Sequence, residues 1–405
     1  MSAPRLTRVL LVLYVFVAFA DAAGKTLAAT PSVNRVLSHL VGSGHAGDLR
    51  QAARPSGNFE IFRLSTRHLV SGENLYARYP EELSDQYKYS PTFPVLFAPF
   101  AFVWWPVALF LWSLLNALML FYAVQRVLPI RQAQLAQAFL LLEVLRAMQN
   151  AQSNALVAAL VILAFAELEP RRAARSAAAV VIGACIKIFP LAALSFAIPR
   201  RAVARVAAWT VVWTLVLGAL PLLVTSPARL VMQYRWWHEI ESSDALQRWF
   251  SVMELLHRFG GVNWPNWPVQ AAGTLALLAP VALRRNRWND ARFRFLYLCS
   301  VLMYVVLFNH QAERASYLIA FTGATIWFCS EPPARWRRVL YGIGVVTIPL
   351  MSTVIPGAIF RTELSTLCRL TLPCLLIWLA VQRDLWRLPL TASPPELPLR
   401  TPATP

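Results

Sequence analysis

The sequence predicts an all-α protein: a polytopic helical membrane protein with about twelve membrane segments, some short or re-entrant, and a long first outer loop. Three observations predict it. The 405 residues are 57% hydrophobic and 14% charged, and apolar segments recur along nearly the whole chain. The net charge of +18 sits mostly on arginines clustered in short links between those segments, the pattern of the positive-inside rule, so no nucleic-acid partner is implied. The five cysteines, at 185, 299, 329, 368 and 374, lie in or beside apolar segments and read as small hydrophobes; no disulfide framework or metal-ligand spacing is visible.

Taken in order, residues 1–23 carry Arg5 and Arg8, then VLLVLYVFVAFA, then small residues. This fits a secretory signal peptide as well as a first membrane helix. A retained anchor is the reading adopted, and either one delivers the next segment to the far side of the membrane. With the N-terminus cytoplasmic, residues 24–91 form the first outer loop. The span 106–125 returns inward to Arg126 and Arg131. Segments 133–147 and 152–168 make an outward hairpin with RAMQNAQSN at its tip. PRRAAR (170–175) and PRRAVAR (199–205) are both inner links, so the stretch between them goes out and back as two halves, about 175–186 and 188–199. Its outer turn falls at Lys187 and Pro190, and proline breaks helices.

Segment 203–224 then runs outward to a Trp-rich second outer loop, 226–266. Segments 268–283, 293–308, 316–329, 337–356 and 366–381 alternate, with NHQAER (309–314) and FRTE outside and RRNRWNDARFR, PPARWRR and QRDLWR inside. TFPVLFAPFAFVW (92–104) is too short to cross, carries two prolines, and reads as a re-entrant or interfacial helix on the outer face. The polytopic domain so defined is 1–387, and the proline-rich tail 388–405 is expected to be disordered and cytoplasmic. Several spans are short for a hydrocarbon core of about 30 Å, and short helices leave a wedge-shaped cavity open to lipid.

Of the 38 Lys+Arg residues only three are lysines: Lys25, Lys88 and Lys187. Lys187 sits in AAAVVIGACIKIFPLAALSFAI (177–198), otherwise free of charge. A cation there marks by default a function such as holding an anion or lining a pathway. The plainer alternative is a lysine snorkelling to an interface. On this topology the unusual polar residues gather on the outer side: the first loop, Gln149 to Asn154, Lys187, and His310 to Arg314. Inner links carry mainly Arg, whereas these mix Gln, Asn, His, Glu and Lys. Convergence from distant sequence is the expected form of an active site. In the first loop, Phe59, Phe62, Leu69 and Val70 predict an amphipathic helix lying on the membrane and ended by Ser71-Gly72. Glu60, Arg63 and Arg67 fall on related turns, either as a surface ion pair or as a carboxylate beside anion-binding guanidiniums.

The run FEIFR…LVSGENLY…YKYSPTF, followed by apolar helices, resembles the start of a glycosyltransferase family 87 protein. AQSN (151–154) resembles that family's Gly-Gln-x-Asn turn, CIKIFP (185–190) its Ile-Lys-x-x-Pro element, and NHQAERASY (309–317) its late outer loop; together these span roughly residues 57–330. The resemblance implies a GT-C-type integral membrane enzyme, of a family also grouped as a domain of unknown function. It implies transfer of a sugar, often mannose, from a polyprenyl-phosphate donor to an acceptor hydroxyl on a membrane lipid or glycan. That transfer would occur on the periplasmic or extracellular side of a bacterial inner or plasma membrane. Inversion at the anomeric carbon is implied, with no nucleotide sugar, bound metal or other cofactor. One departure stands out. The family commonly opens its first-loop helix with the Asp expected to act as base, and here that position is Asn58, which takes no proton in this role. Glu60 substitutes, Asp48 folds back, or the enzyme is inactive.

The roles expected from this reading are specific. Lys187 with Arg63 or Arg67 offsets charge as the phosphate leaves. Glu60 draws the acceptor proton. Gln152, Asn154 and His310 hydrogen-bond the sugar, Lys88 and Tyr89 hold the first loop or touch phosphate, and Glu313 and Arg314 complete the substrate-binding set. Plainer readings stand beside these. Gln152 and Asn154 end one helix and cap the next, Glu313 and Arg314 pair at a surface, and His310 and Asp48 are ordinary loop residues. Lys88 and Tyr89 anchor at the interface, and Trp236, Trp237, Trp249, Trp264 and Trp267 form either an interfacial belt or a sugar platform. Two rival functions remain: a lipid or sugar-lipid transporter or flippase, for which no internal repeat is found, and an inactive transferase acting as a binding protein.

Overall fold

Prolines, caps and charged links set the helix boundaries in the computed structural model, which describes residues 3–30, 57–82, 85–169, 172–354 and 362–388. Asp48 and the tail from residue 389 lie outside the described residues. Described elements are all helical, with no strand among them. Helix α1 (Ala3–Ala29) is followed by α2 (Gly57–Ser71), α3 (Phe93–Ala101), α4 (Trp105–Val127), α5 (Ile130–Gln149), α6 (Asn154–Ala166) and α7 (Ala173–Ile186). After a 3-10 stretch at Phe189–Ala197 come α8 (Val203–Ala219), α9 (Pro227–Asp244), α10 (Val252–Gly260), α11 (Asn266–Leu283), α12 (Ala291–Leu307) and α13 (Tyr317–Cys329). The chain closes with α14 (Arg335–Val345), a π turn at Val346–Leu350 around Pro349, α15 (Met351–Val354) and α16 (Glu363–Arg387).

Among the described residues four helical stretches are long and apolar enough to cross a membrane singly, Ala3–Ala29, Trp105–Val127, Val203–Leu223 and Glu363–Arg387, against about twelve expected segments. Helices α6 and α7 are apolar but shorter. The segment read as a second outer loop is mostly helix. Ser226 Oγ accepts from Arg229 N to cap α9, and Ser251 Oγ accepts from Glu254 N to cap α10.

Helices α12 and α13 form the centre, nearly every residue of both buried between α5, α6 and α16. Their polar groups are matched inside the bundle. Trp378 Nε1 and Gln382 Nε2 donate to Ser300 Oγ at 3.0 and 2.6 Å, and Tyr317 OH lies 2.7 Å from Thr371 Oγ1. In hydrocarbon such groups have no water to turn to. The arginine-rich links pair among themselves at one end: Arg126 with Glu167 at 3.0 Å, Arg292 with Glu331 at 2.6 Å and Arg337 with Asp384 at 2.7 Å. The opposite helix ends carry the tips at 149–154, 187 and 309–316, so the expected gathering of those tips at one end is present in the fold.

Helix α2 is amphipathic as expected, but its apolar face meets protein. Phe62 has ring centroids of Tyr89 and Phe93 at 5.0 Å, Phe97 at 5.4 Å and Trp112 at 5.8 Å, and Phe59 adds edge contacts to Phe97 and Trp105. Leu69 is buried, whereas Val70 is half exposed and off the buried face. Gly72 ends the helix with φ of +74°, a geometry that favours glycine.

Helices α12 and α13 approach closely at Gly323, where a Cβ would stand 2.8 Å from the carbonyl oxygen of Cys299 and 2.9 Å from Leu302 Cβ. A backbone oxygen inside a helix does not yield. Gly323→Ala is expected to cost about 1–3 kcal/mol, measured as a lowered unfolding midpoint of the detergent-solubilised protein; an unchanged midpoint would show that the helices separate freely.

Candidate active site

One cavity of about 1010 Å³ opens at the end where the tips gather. Its walls come from the start of α2, the segment before α3, the α5–α6 turn, the break after α7, α9, α11 and the chain from α12 to α13. One part is apolar, lined by Leu191, Ala192, Leu277, Leu278 and Val305; the rest carries charge of both signs.

Lys187 enters the cavity because α7 stops one residue before it. The residue is extended, with φ of −145° and ψ of 135°, and its backbone N–H closes the helix onto Gly183 O. Among the described residues no protein acceptor takes a hydrogen bond from its ammonium, and Glu313 is the carboxylate that acts on it. Gln152 is presented by the tight α5–α6 turn, where Ala151 has φ of +47°. Its Nε2 donates to Glu313 Oε2 at 3.2 Å, and its buried Oε1 has no protein partner. Asn58, at the start of α2, lines the same wall and donates from Nδ2 to Asn150 O at 3.0 Å.

Two further guanidiniums reach the cavity, Arg146 and Arg314. Arg146 lies 3.8 Å from the buried Glu143, and that carboxylate also acts on Arg314 and Arg369. Three cations thus act on this one carboxylate. Burial, with Arg146 and Arg369 close by, lowers Arg314 to about 10, so it stays charged at neutral pH.

A second charged wall is internally satisfied. Lys88 Nζ donates to Asp244 Oδ2 at 2.6 Å, Gln311 Nε2 to the same oxygen at 3.3 Å, and Gln247 Nε2 to Asp244 Oδ1 at 2.6 Å. Trp237 Nε1 donates to Lys88 O at 3.2 Å. Glu241, one turn before Asp244 on α9, has its pKa raised by burial and then by Asp244. Gln270 Nε2 donates to Phe308 O at 3.3 Å, which fixes its amide orientation, so the 3.1 Å contact with His310 Nδ1 makes that nitrogen the acceptor. Burial lowers the His310 pKa, and the neutral ring then carries its proton on Nε2, a buried donor with no protein partner.

Asn58, Lys88, Tyr89, Gln152, Lys187, His310, Glu313 and Arg314 therefore line one space. Glu60, Arg63, Arg67 and Asn154 do not line it. Glu60 turns to Arg63, 3.5 Å away, and Arg67 is exposed on the outward face of α2, because Phe59 and Phe62 claim the inward face. Asn154 is wholly buried inside the first turn of α6. The tryptophans divide: Trp237 and Trp249 line the cavity, while Trp264 and Trp267 are exposed. Asp85, Arg146, Glu241, Asp244 and Gln270 are cavity residues that sequence reasoning missed. Glu241 and Asp244 had a signal in their i, i+3 spacing, which a loop reading of that segment hid.

Fold and cavity define a helical membrane protein with a large internal site, apolar in one part and charged in the other. Within that class the chain belongs to glycosyltransferase family 87, whose family model matches residues 87–308, and so it is a membrane glycosyltransferase by family. The matched range includes Lys88, Gln152, Lys187, Glu241 and Asp244, and ends before His310. Neither a curated protein nor a solved structure matches the chain.

The turn that presents Gln152 carries Ala where the resembling family element carries Gly. Left-handed backbone penalises a Cβ, so Ala151→Gly is expected to stabilise the protein by about 0.5–1 kcal/mol. The check is a raised thermal midpoint; a lowered one would mean that the methyl group, 1% exposed, contributes more by burial than it costs by strain.

Proposed function

We propose that this protein transfers a mannose-like hexose from a polyprenyl-phosphate donor to a hydroxyl of a membrane lipid or glycan, at the outer face of the membrane. The observation that carries the reading is the coupling of Lys187, Arg146 and Arg314 to an apolar recess in a single cavity. An anion with a long apolar tail matches both parts. Arginine holds phosphate with a planar fork and lysine acts as a point charge, and both stabilise the charge that grows on the phosphate as it leaves.

The acceptor oxygen attacks the anomeric carbon, the bond from that carbon to the phosphate oxygen breaks, and the acceptor proton passes to a carboxylate. With Glu60 off the cavity wall, Glu313 suits that role best. It is exposed to the cavity, accepts a hydrogen bond from Gln152, and acts electrostatically on Lys187. Asp244 is poorly suited, since both its oxygens already accept hydrogen bonds. Asn58 keeps its Oδ1 as an acceptor that orients a hydroxyl without deprotonating it. His310 Nε2–H and the Gln152 carbonyl oxygen supply one donor and one acceptor for sugar hydroxyls. Asn58 also favours a second reading, an inactive transferase that binds the donor.

Purified protein in nanodiscs, given radiolabelled polyprenyl-phosphate mannose and a panel of membrane acceptors, tests this. Lys187→Ala is expected to lower kcat about 10²-fold, and Glu313→Gln about 10²–10⁴-fold with donor binding retained. Transfer lost in Glu241→Gln but kept in Glu313→Gln would overturn the choice of base. Donor binding without turnover, restored to turnover by Asn58→Asp, would favour the inactive form, and movement of the lipid across liposomes without transfer would favour a flippase.

A further inference from the structure

A second cleft, of about 270 Å³, adjoins the main cavity and shares Gln247 and Trp249 with it. Its remaining walls include Glu254 and Arg258 of α10 and Glu363 at the start of α16. Trp249 lines both spaces and is half exposed. Its backbone has φ of +22°, a strained geometry for a bulky residue. Strain of this kind persists only where the surroundings over-determine it, and it clusters at ligand clamps.

The surroundings here are well determined. Before Trp249, Asn266 Nδ2 donates to the carbonyls of Ala245 and Gln247 at 2.7 Å each, and Arg248 Nη2 donates to Trp264 O at 3.1 Å. After it, Phe250 N donates to Ala312 O at 3.1 Å, and Tyr317 OH donates to Phe250 O at 2.7 Å. The indole N–H itself donates to Gln247 Oε1. The ring is thus fixed by its flanks, one of which is tied to the segment that carries Glu313.

We infer that this cleft binds the saccharide portion of the acceptor beyond the sugar that is glycosylated, so that the acceptor is a glycan of at least two sugar units. The chemistry suits a hydroxyl-rich ring. Trp249 offers a rigid aromatic face, while Glu254 and Glu363 are acceptors for hydroxyls. Arg258, 2.7 Å from Glu254 and 4.0 Å from Glu363, supplies donors between them. Leu364 and Leu367 add apolar lining, so the cleft is amphipathic as a sugar is. A single lipid alcohol would leave it unfilled. The inference rests on the proposed transferase activity for which sugar reacts, but the cleft's own affinity is independent of turnover.

The experiment compares octyl glycosides of one and of three sugars, in a mannose and a glucose series. With polyprenyl-phosphate mannose as donor, the trisaccharide glycoside of one series is expected to show a KM about tenfold below its monosaccharide partner. Glu254→Gln and Trp249→Gly should each bring that ratio close to one. Trp249→Gly relieves the backbone strain, so its unfolding midpoint should not fall, which separates loss of the ring from loss of the fold. Equal KM for short and long acceptors in both series, or a ratio untouched by both substitutions, overturns the inference. If no acceptor is glycosylated, the transferase reading fails, and the cleft is judged by binding without donor. Length-dependent quenching of tryptophan fluorescence that disappears in Trp249→Phe supports it, and length-independent or absent quenching overturns it.

Discussion

Irregular backbone among packed apolar helices survives only where neighbouring groups satisfy it, and the cavity depends on one place that meets this condition. Helix α7 ends at Ile186, Lys187 is extended, and a 3-10 stretch begins at Phe189. Pro190 has no amide hydrogen to continue a helix, and it lies close over Gly183, where even a methyl group would be 3.1 Å from it. Ser90 Oγ donates to the freed carbonyl of Cys185 at 2.6 Å, and Tyr297 OH donates to Ser195 Oγ at 2.8 Å on the far side of the break. This one segment therefore sends an ammonium and the apolar Leu191 and Ala192 into the same space. A continuous helix would leave no room for Ile188, Phe189 and Ala192 on the same side as Lys187, because successive side chains turn by about 100° and only Leu191, one turn on, would share its face.

Charge balance acts on top of this geometry. At the far end of the bundle Arg126, Arg292 and Arg337 pair with Glu167, Glu331 and Asp384, and the other arginines of those links do not line the cavity, so the net charge of +18 says little about any ligand. Within the cavity Lys88 is matched by Asp244. Among the described residues Arg146 and Arg314 both act on Glu143, and Glu313 is the carboxylate that acts on Lys187. Partial burial weakens the competition from water for these cations, and so an anion placed among them is held more firmly than at an open surface.

Much of this was legible in the chain. Helix α4, the α5–α6 hairpin and the break at Lys187 follow from apolar runs, arginine links and one proline, because these signals are local. The gathering of residues 149–154, 187 and 309–316 at one end follows from alternation, which needs only the count of turns. What failed needed tertiary knowledge. The apolar face of α2 fits a membrane surface as well as it fits a wall of aromatic rings, and only the latter turns Glu60 and Arg67 away from the cavity. The Trp-rich segment hides two helices whose apolar content is too low to mark them, and with them Glu241 and Asp244. Arg146 reads as a helix-end cation and becomes a cavity residue only through the neighbouring His310–Arg314 tip.

The short central helices have a consequence for how the protein is made. Helix α6, with 13 residues, rises about 20 Å and α7, with 14, about 21 Å, against hydrocarbon of about 30 Å. Neither is long enough to partition alone as it leaves the insertion machinery, and each buries much of its surface on the other or on α4 and α8. They must enter the bilayer in company with α4 and α8, so co-translational insertion here is a collective event. A nascent chain halted before α8 emerges would leave α6 and α7 without the partner that completes their passage.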